Sequence, residues 1–229
     1  MLKNIIKVLF ANIIVMFTSI INTLVIPKIM SIDGYAEYQT FMLFISYVGL
    51  MMFGFHGGLF IKYGGKHQED IDIPQFKSEM SLIIISQSIM SIILCIFSFA
   101  TKNALIFATS LCILTSNFVS CYKYLYQAWD KFTQYSVINV FQSIGFSGVV
   151  VILGIFCKPV DAEKVIITYI LINAICFVIV LREYIRVCKG IKRNPLISIE
   201  NRNILNLGIL LMLSGAANVI FSSVDKYYI

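Results

Sequence analysis

The chain has 229 residues, of which 59% are hydrophobic and only 13% charged, with a formal net charge of +6. A mean hydropathy of +0.85 lies outside the range of a water-soluble domain and excludes one as the bulk of the chain. The excess of Lys and Arg sits between apolar stretches, where it orients a membrane chain and attracts anionic headgroups, so it calls for no nucleic acid.

Seven apolar stretches of about twenty residues follow one another. Each must satisfy its own backbone hydrogen bonds in lipid, which predicts helices and not barrel strands. The expected architecture is an all-α integral membrane protein, a polytopic bundle of about seven transmembrane helices. The spacing predicts spans over 4–26, 38–60, 80–100, 103–126, 132–156, 165–181 and 204–229. Pro27-Lys28 reads as the stop of the first span, and Thr101 to Asn103 as the tip of a tight hairpin between the third and fourth. Thirteen Lys and Arg fall on the side of the N-terminus and five on the other, which predicts a cytoplasmic N-terminus.

In the first span Asn12, Ser19 and Thr23 follow one face, with Asn22 alongside. The fourth carries Thr109, Ser116, Ser120, Lys123 and Gln127, and the fifth Ser136, Asn139, Ser143 and Ser147. The seventh carries Ser214, Asn218, Ser222 and Asp225. Such stripes serve either as hydrogen-bonding glue between helices or as the lining of a shared polar cavity, and their number favours the cavity. Lys62 and Lys123 stand at helix ends on the cationic side, where they either snorkel to water or meet a phosphate. The second span ends in a run containing Gly54, Gly57, Gly58, Gly64 and Gly65, which reads as a packing notch or as a hinge at Gly54, Gly57 and Gly58.

The six cysteines are spread singly and read as free packing residues, and His56 and His67 have no ligand spacing. No metal site, no cofactor and no catalytic residue is expected. No nucleophile elbow, phosphate loop or carboxylate pair supports an enzyme.

Four segments carry a resemblance to a known family: Asp33-Gly34-Tyr35-Ala36-Glu37-Tyr38, the Gly54 to Gly65 run, Tyr126-Gln127-Ala128-Trp129-Asp130-Lys131-Phe132-Thr133-Gln134-Tyr135-Ser136, and Ser222-Ser223-Val224-Asp225-Lys226-Tyr227-Tyr228-Ile229. In order and spacing they resemble the bacterial polysaccharide or O-antigen flippases of the Wzx type, within the multidrug/oligosaccharidyl-lipid/polysaccharide exporter superfamily. The resemblance covers essentially the whole chain. It implies alternating-access transport of an undecaprenyl-pyrophosphate-linked oligosaccharide across the bacterial plasma membrane, coupled to Na+ or H+, with membrane lipids and other polysaccharide-assembly proteins as partners. Lys62, Lys123 and Asp225 match positions near the central cavity or its gates. Family members place arginines deep in the first helices, where this chain has Asn12, Asn22 and Thr23. The resemblance also implies a first six-helix lobe over 1–199 and the opening helix of a second, incomplete lobe over 200–229. The alternatives are a small-solute or drug antiporter of the same superfamily, a membrane-embedded polysaccharide polymerase or glycosyltransferase, and a nontransporting scaffold.

Overall fold

The computed structural model describes residues 2–196 and 198–223, with the side chains of 2–5, 210, 214, 218, 222 and 223 outside the described set. It is 86% helical, and the described residues contain no strand. Among the described residues eight α-helices follow in order: α1 (Leu2–Ile29), α2 (Ile32–Val48), α3 (Phe55–Tyr63), α4 (Ile73–Thr101), α5 (Ala104–Ala128), α6 (Phe132–Phe156), α7 (Ala162–Val187) and α8 (Ile199–Ser223). Six are long and apolar enough to cross a membrane, and α2 with α3, bent by 53° at the break between them, are so as a pair, which makes seven if the pair is counted as one span. The protein is a multi-pass membrane helical bundle.

The ends of the helices follow from local chemistry. The Ser31 hydroxyl accepts from the Gly34 amide at 3.1 Å and starts α2, and the Asn103 side chain accepts from the Leu105 and Ile106 amides and starts α5. Lys102, in the left-handed region, ends α4 and turns the chain into the expected α4–α5 hairpin. Several bounds differ from the sequence expectation. Pro27 does not stop α1, which continues to Ile29. Helix α4 begins at Ile73, with Pro74 in its first turn where a missing amide costs nothing, well before Met80. Helix α7 is longer at both ends than 165–181, and α8 starts at Ile199.

The larger correction concerns the second span, which is not one helix over 38–60. It breaks at a 3-10 turn, Gly49–Met52, followed by left-handed backbone at Phe53 (φ 50°) and Gly54 (φ 76°). A break in hydrocarbon needs internal partners for the carbonyls it frees. The Asn117 amide of α5 donates to the Val48 carbonyl at 3.0 Å, and the Gln87 amide of α4 donates to the Met51 carbonyl at 3.0 Å. Asn117 also donates to the Gln87 side-chain oxygen at 2.6 Å, which locks the pair.

Helix α5 is the hub, in contact with α2, α3, α4, α6 and α7, while α1 lies along α6 and α8 along α3. Two apolar cores are stacked along the bundle. One joins Leu59, Phe76, Met80, Tyr122, Trp129 and Tyr184, and the other joins Ile29, Phe41, Cys112, Val150 and Val165. The connections gather at two poles. At one, the Val160 amide donates to the Ile29 carbonyl at 2.8 Å. At the other, Asn194 bonds to Pro74 and Gly65 to Ala128, and Lys7, Lys62, Lys66, Lys77 and Lys131 belong to this lysine-rich pole.

Candidate functional site: a polar cavity with one cation

A cavity of about 620 Å³ lies between α1, α2, α6 and α7, with Lys123 of α5 at its floor. From α1 it takes Ser19, Asn22 and Thr23, and from α6 Asn139, Gln142 and Ser143. Helix α2 contributes Tyr35, Tyr38 and Gln39, and α7 contributes Tyr169 and Asn173. Val15, Ile26, Met42, Phe146 and Ile172 complete the wall. Among these residues Lys123 is the one that carries a charge, and none is a carboxylate.

The Lys123 ammonium donates to the Gln142 side-chain oxygen at 2.5 Å. The Gln142 amide passes the polarity on to the Asn173 oxygen at 2.7 Å, and Asn173 is held by its own donation to the Tyr169 carbonyl at 2.9 Å. An ammonium has three donors, and Gln142 takes one. No carboxylate pairs with Lys123 among the described residues, so two donors of this cavity-lining ammonium are uncommitted. The Asn22 side-chain oxygen is buried and has no hydrogen-bond partner among the described residues. Tyr35 accepts from Gln39 at 2.7 Å, which fixes its ring at the wall. The arrangement is a cationic floor beneath amides, hydroxyls and three phenol rings.

The structure thus brings Asn22, Thr23, Lys123, Asn139 and Ser143 to one cavity. Ser116 lies behind its wall, donating to Asn173 at 3.4 Å, and Ser120 is partly buried outside the lining. Asn12 is exposed on α1 away from the cavity. Thr18, one residue from the expected stripe, is the α1 hydroxyl that meets Ser143, and Ser147 approaches the Thr18 carbonyl, so this part of the seam is glue. The side chains of Asn218 and Ser222, with that of Ser214, and all of Asp225, lie outside the described residues.

Lys62 is elsewhere. It pairs with the fully buried Glu79 of α4 at 2.5 Å and reaches Glu200 of α8 at 3.4 Å. Glu79 also accepts from the Tyr63 hydroxyl at 2.6 Å and from Gln75 at 3.1 Å. Lys62 is therefore part of a clasp between α3, α4 and α8.

The glycine run divides into two roles. Gly54 carries the positive φ of the break, while Gly57 and Gly58 sit inside α3 where it touches α8. A Cβ on Gly58 would stand 2.1 Å from the Ile204 carbonyl oxygen, and one on Gly208 of α8 would stand 1.9 Å from the Gly54 oxygen. Gly57 and Gly58 are notch residues, and the bend belongs to Phe53 and Gly54.

The residues that sequence reasoning missed are Tyr35, Tyr38, Gln39, Gln142, Tyr169 and Asn173. Tyr35, Tyr38, Gln39 and Met42 fall at helical intervals on one face of α2, a signal present in the sequence. No family model, curated protein or solved structure matches the chain.

Proposed function

We propose that this chain is a membrane transport component of the polysaccharide-flippase type, in a bacterial plasma membrane, with the lysine-rich pole in the cytoplasm. Its passenger is a lipid-linked oligosaccharide bearing a phosphate or pyrophosphate. The observation that carries this reading is Lys123, a cation with two spare donors under a lining that has amides, hydroxyls and phenol rings but no carboxylate. A phosphate meets the ammonium, sugar hydroxyls meet Asn22, Gln39 and Asn139, and tyrosine rings offer flat faces to sugar rings. At about 620 Å³ the cavity falls within the ≈ 300–1,000 Å³ of small-molecule sites. On this reading α8 opens a second lobe, transport alternates access by bending at Phe53 and Gly54, and Na+ or H+ drives it. The same lining disfavours an exporter of cationic drugs, which would need a carboxylate, and no covalent chemistry is assigned.

The test is transport of lipid-linked oligosaccharide across proteoliposomes by the wild type, Lys123→Met and Lys123→Arg. The methionine variant is expected to lose about tenfold or more in rate, equivalent to about 1.4 kcal/mol, with arginine retaining most of it. Absence of transport by the wild type, or an unchanged rate in Lys123→Met, rejects the reading.

A further inference from the structure

A second hollow, of about 720 Å³, lies on the other side of the α1–α6 seam and opens on the outside of the bundle. Its walls are apolar: Phe10 and Ile14 from α1, and Val137, Val140, Phe141 and Ile144 from α6. Polar groups occur at one end only, on the lysine-rich pole, where Lys7, Thr133 and Ser136 stand together. The lining runs along α6 from Thr133 to Gly145, about 18 Å at 1.5 Å per residue. That is close to one leaflet's half of a hydrocarbon core about 30 Å thick.

The polar end is under-used. Lys7 donates to the Thr133 hydroxyl at 2.9 Å, and no carboxylate pairs with it among the described residues, so two of its donors are unassigned. The Thr133 hydroxyl, accepting from Lys7, keeps its own proton to donate. One turn further on, the Ser136 hydroxyl is buried with no hydrogen-bond partner among the described residues, and a χ1 rotation re-aims it. Three donors at the headgroup end of a leaflet-length apolar groove, one of them cationic, match an anion attached to a hydrocarbon chain.

We propose that the α1–α6 groove is a binding site for one anionic phospholipid of the leaflet on the lysine-rich side. One acyl chain lies between Phe10, Ile14, Val140 and Ile144, and the phosphate sits on Lys7, Thr133 and Ser136. This goes beyond the transport reading and does not depend on it. The bound lipid would brace α1, which otherwise leans chiefly on α6, along the side that backs the Lys123 cavity.

The test is native mass spectrometry of the purified protein in micelles doped with phosphatidylglycerol or phosphatidylcholine. The wild type is expected to retain one phosphatidylglycerol with roughly tenfold preference, about 1.4 kcal/mol. Lys7→Gln should bring the two lipids to near parity. Lys66→Gln, on an exposed lysine of the same pole, should leave the preference unchanged. Val137→Trp fills the groove from a position that is 61% exposed, and should abolish retention of both lipids. Equal retention of the two lipids by the wild type, an unchanged preference in Lys7→Gln, or an equal loss in Lys66→Gln overturns the proposal. So does a dimer that Val137→Trp dissolves, which would give the groove to a second copy.

Discussion

At the scale of single residues, the bundle spends its few charges in two different ways. Lys123 keeps donors open to a cavity, whereas Lys62 and Glu79 close on each other inside a clasp in which Tyr63 and Gln75 also donate to the carboxylate. Burying the Glu79 charge is costly and is tolerated because each oxygen is bonded. Removing one partner leaves the other charge without compensation. Lys62→Met is therefore expected to destabilise the protein by roughly 3–5 kcal/mol, while the double variant Lys62→Met/Glu79→Met stays much closer to the wild type. Denaturant titration in micelles followed by circular dichroism checks both, and a double variant as unstable as the single would overturn the account. The sequence placed Lys62 at the end of a glycine-rich run, but Glu79 lies 17 positions away on another helix. Only packing of α3 on α4 pairs them.

Among the helices, α6 has the same bounds in sequence and structure, 132–156, because polar Lys131 and the Cys157-Lys158-Pro159 turn bracket an unbroken apolar run. The break in the second span was legible only at Gly54, one of the glycines read as a hinge, and not in the turn that precedes it. Gly49–Met52 is as apolar as its surroundings, and hydropathy carries no record of a backbone dihedral. What permits the break is supplied by Gln87 and Asn117, which lie 36 and 69 positions from the carbonyls they bond. The glycines after the break read as a packing notch from the sequence, and the structure adds Ile204 and Gly208 of α8 as what fills it. Gly58→Ala forces α3 off α8 and should cost about 1–3 kcal/mol. Gly148→Ala, within α6 with no atom near the added methyl, should gain about 0.5–1 kcal/mol. The two variants compared by thermal unfolding make the contrast, and a Gly58→Ala protein as stable as Gly148→Ala would refute the close contact.

For the molecule as a whole, alternation of charge in the sequence became two poles in space, and both can be reached by chemistry. Cys157 is exposed in the α6–α7 connection, at the pole opposite Lys7 and Lys131, while Cys188 at the lysine-rich pole is buried and burial pushes its thiol up, which lowers its reactive thiolate fraction at neutral pH. A membrane-impermeant maleimide on intact cells is expected to label one site, lost in Cys157→Ser. Labelling that requires permeabilised cells would invert the orientation. The cavity was half legible: the stripes on α1 and α6 led to Asn22, Thr23, Asn139 and Ser143, but Asn173 is a lone amide within an apolar run, and Tyr35 and Tyr38 stood out only as part of the Asp33 to Tyr38 segment, with no cavity role read for them. The bent span has a consequence for biogenesis. A nine-residue helix rises only about 13 Å, so α3 cannot cross a bilayer by itself and is long enough only when joined to α2. Gln87 and Asn117 are synthesised after both. Until the ribosome has delivered α4 and α5, the Val48 and Met51 carbonyls have none of the partners that support the bend, which places the folding of this joint late in the assembly of the nascent chain.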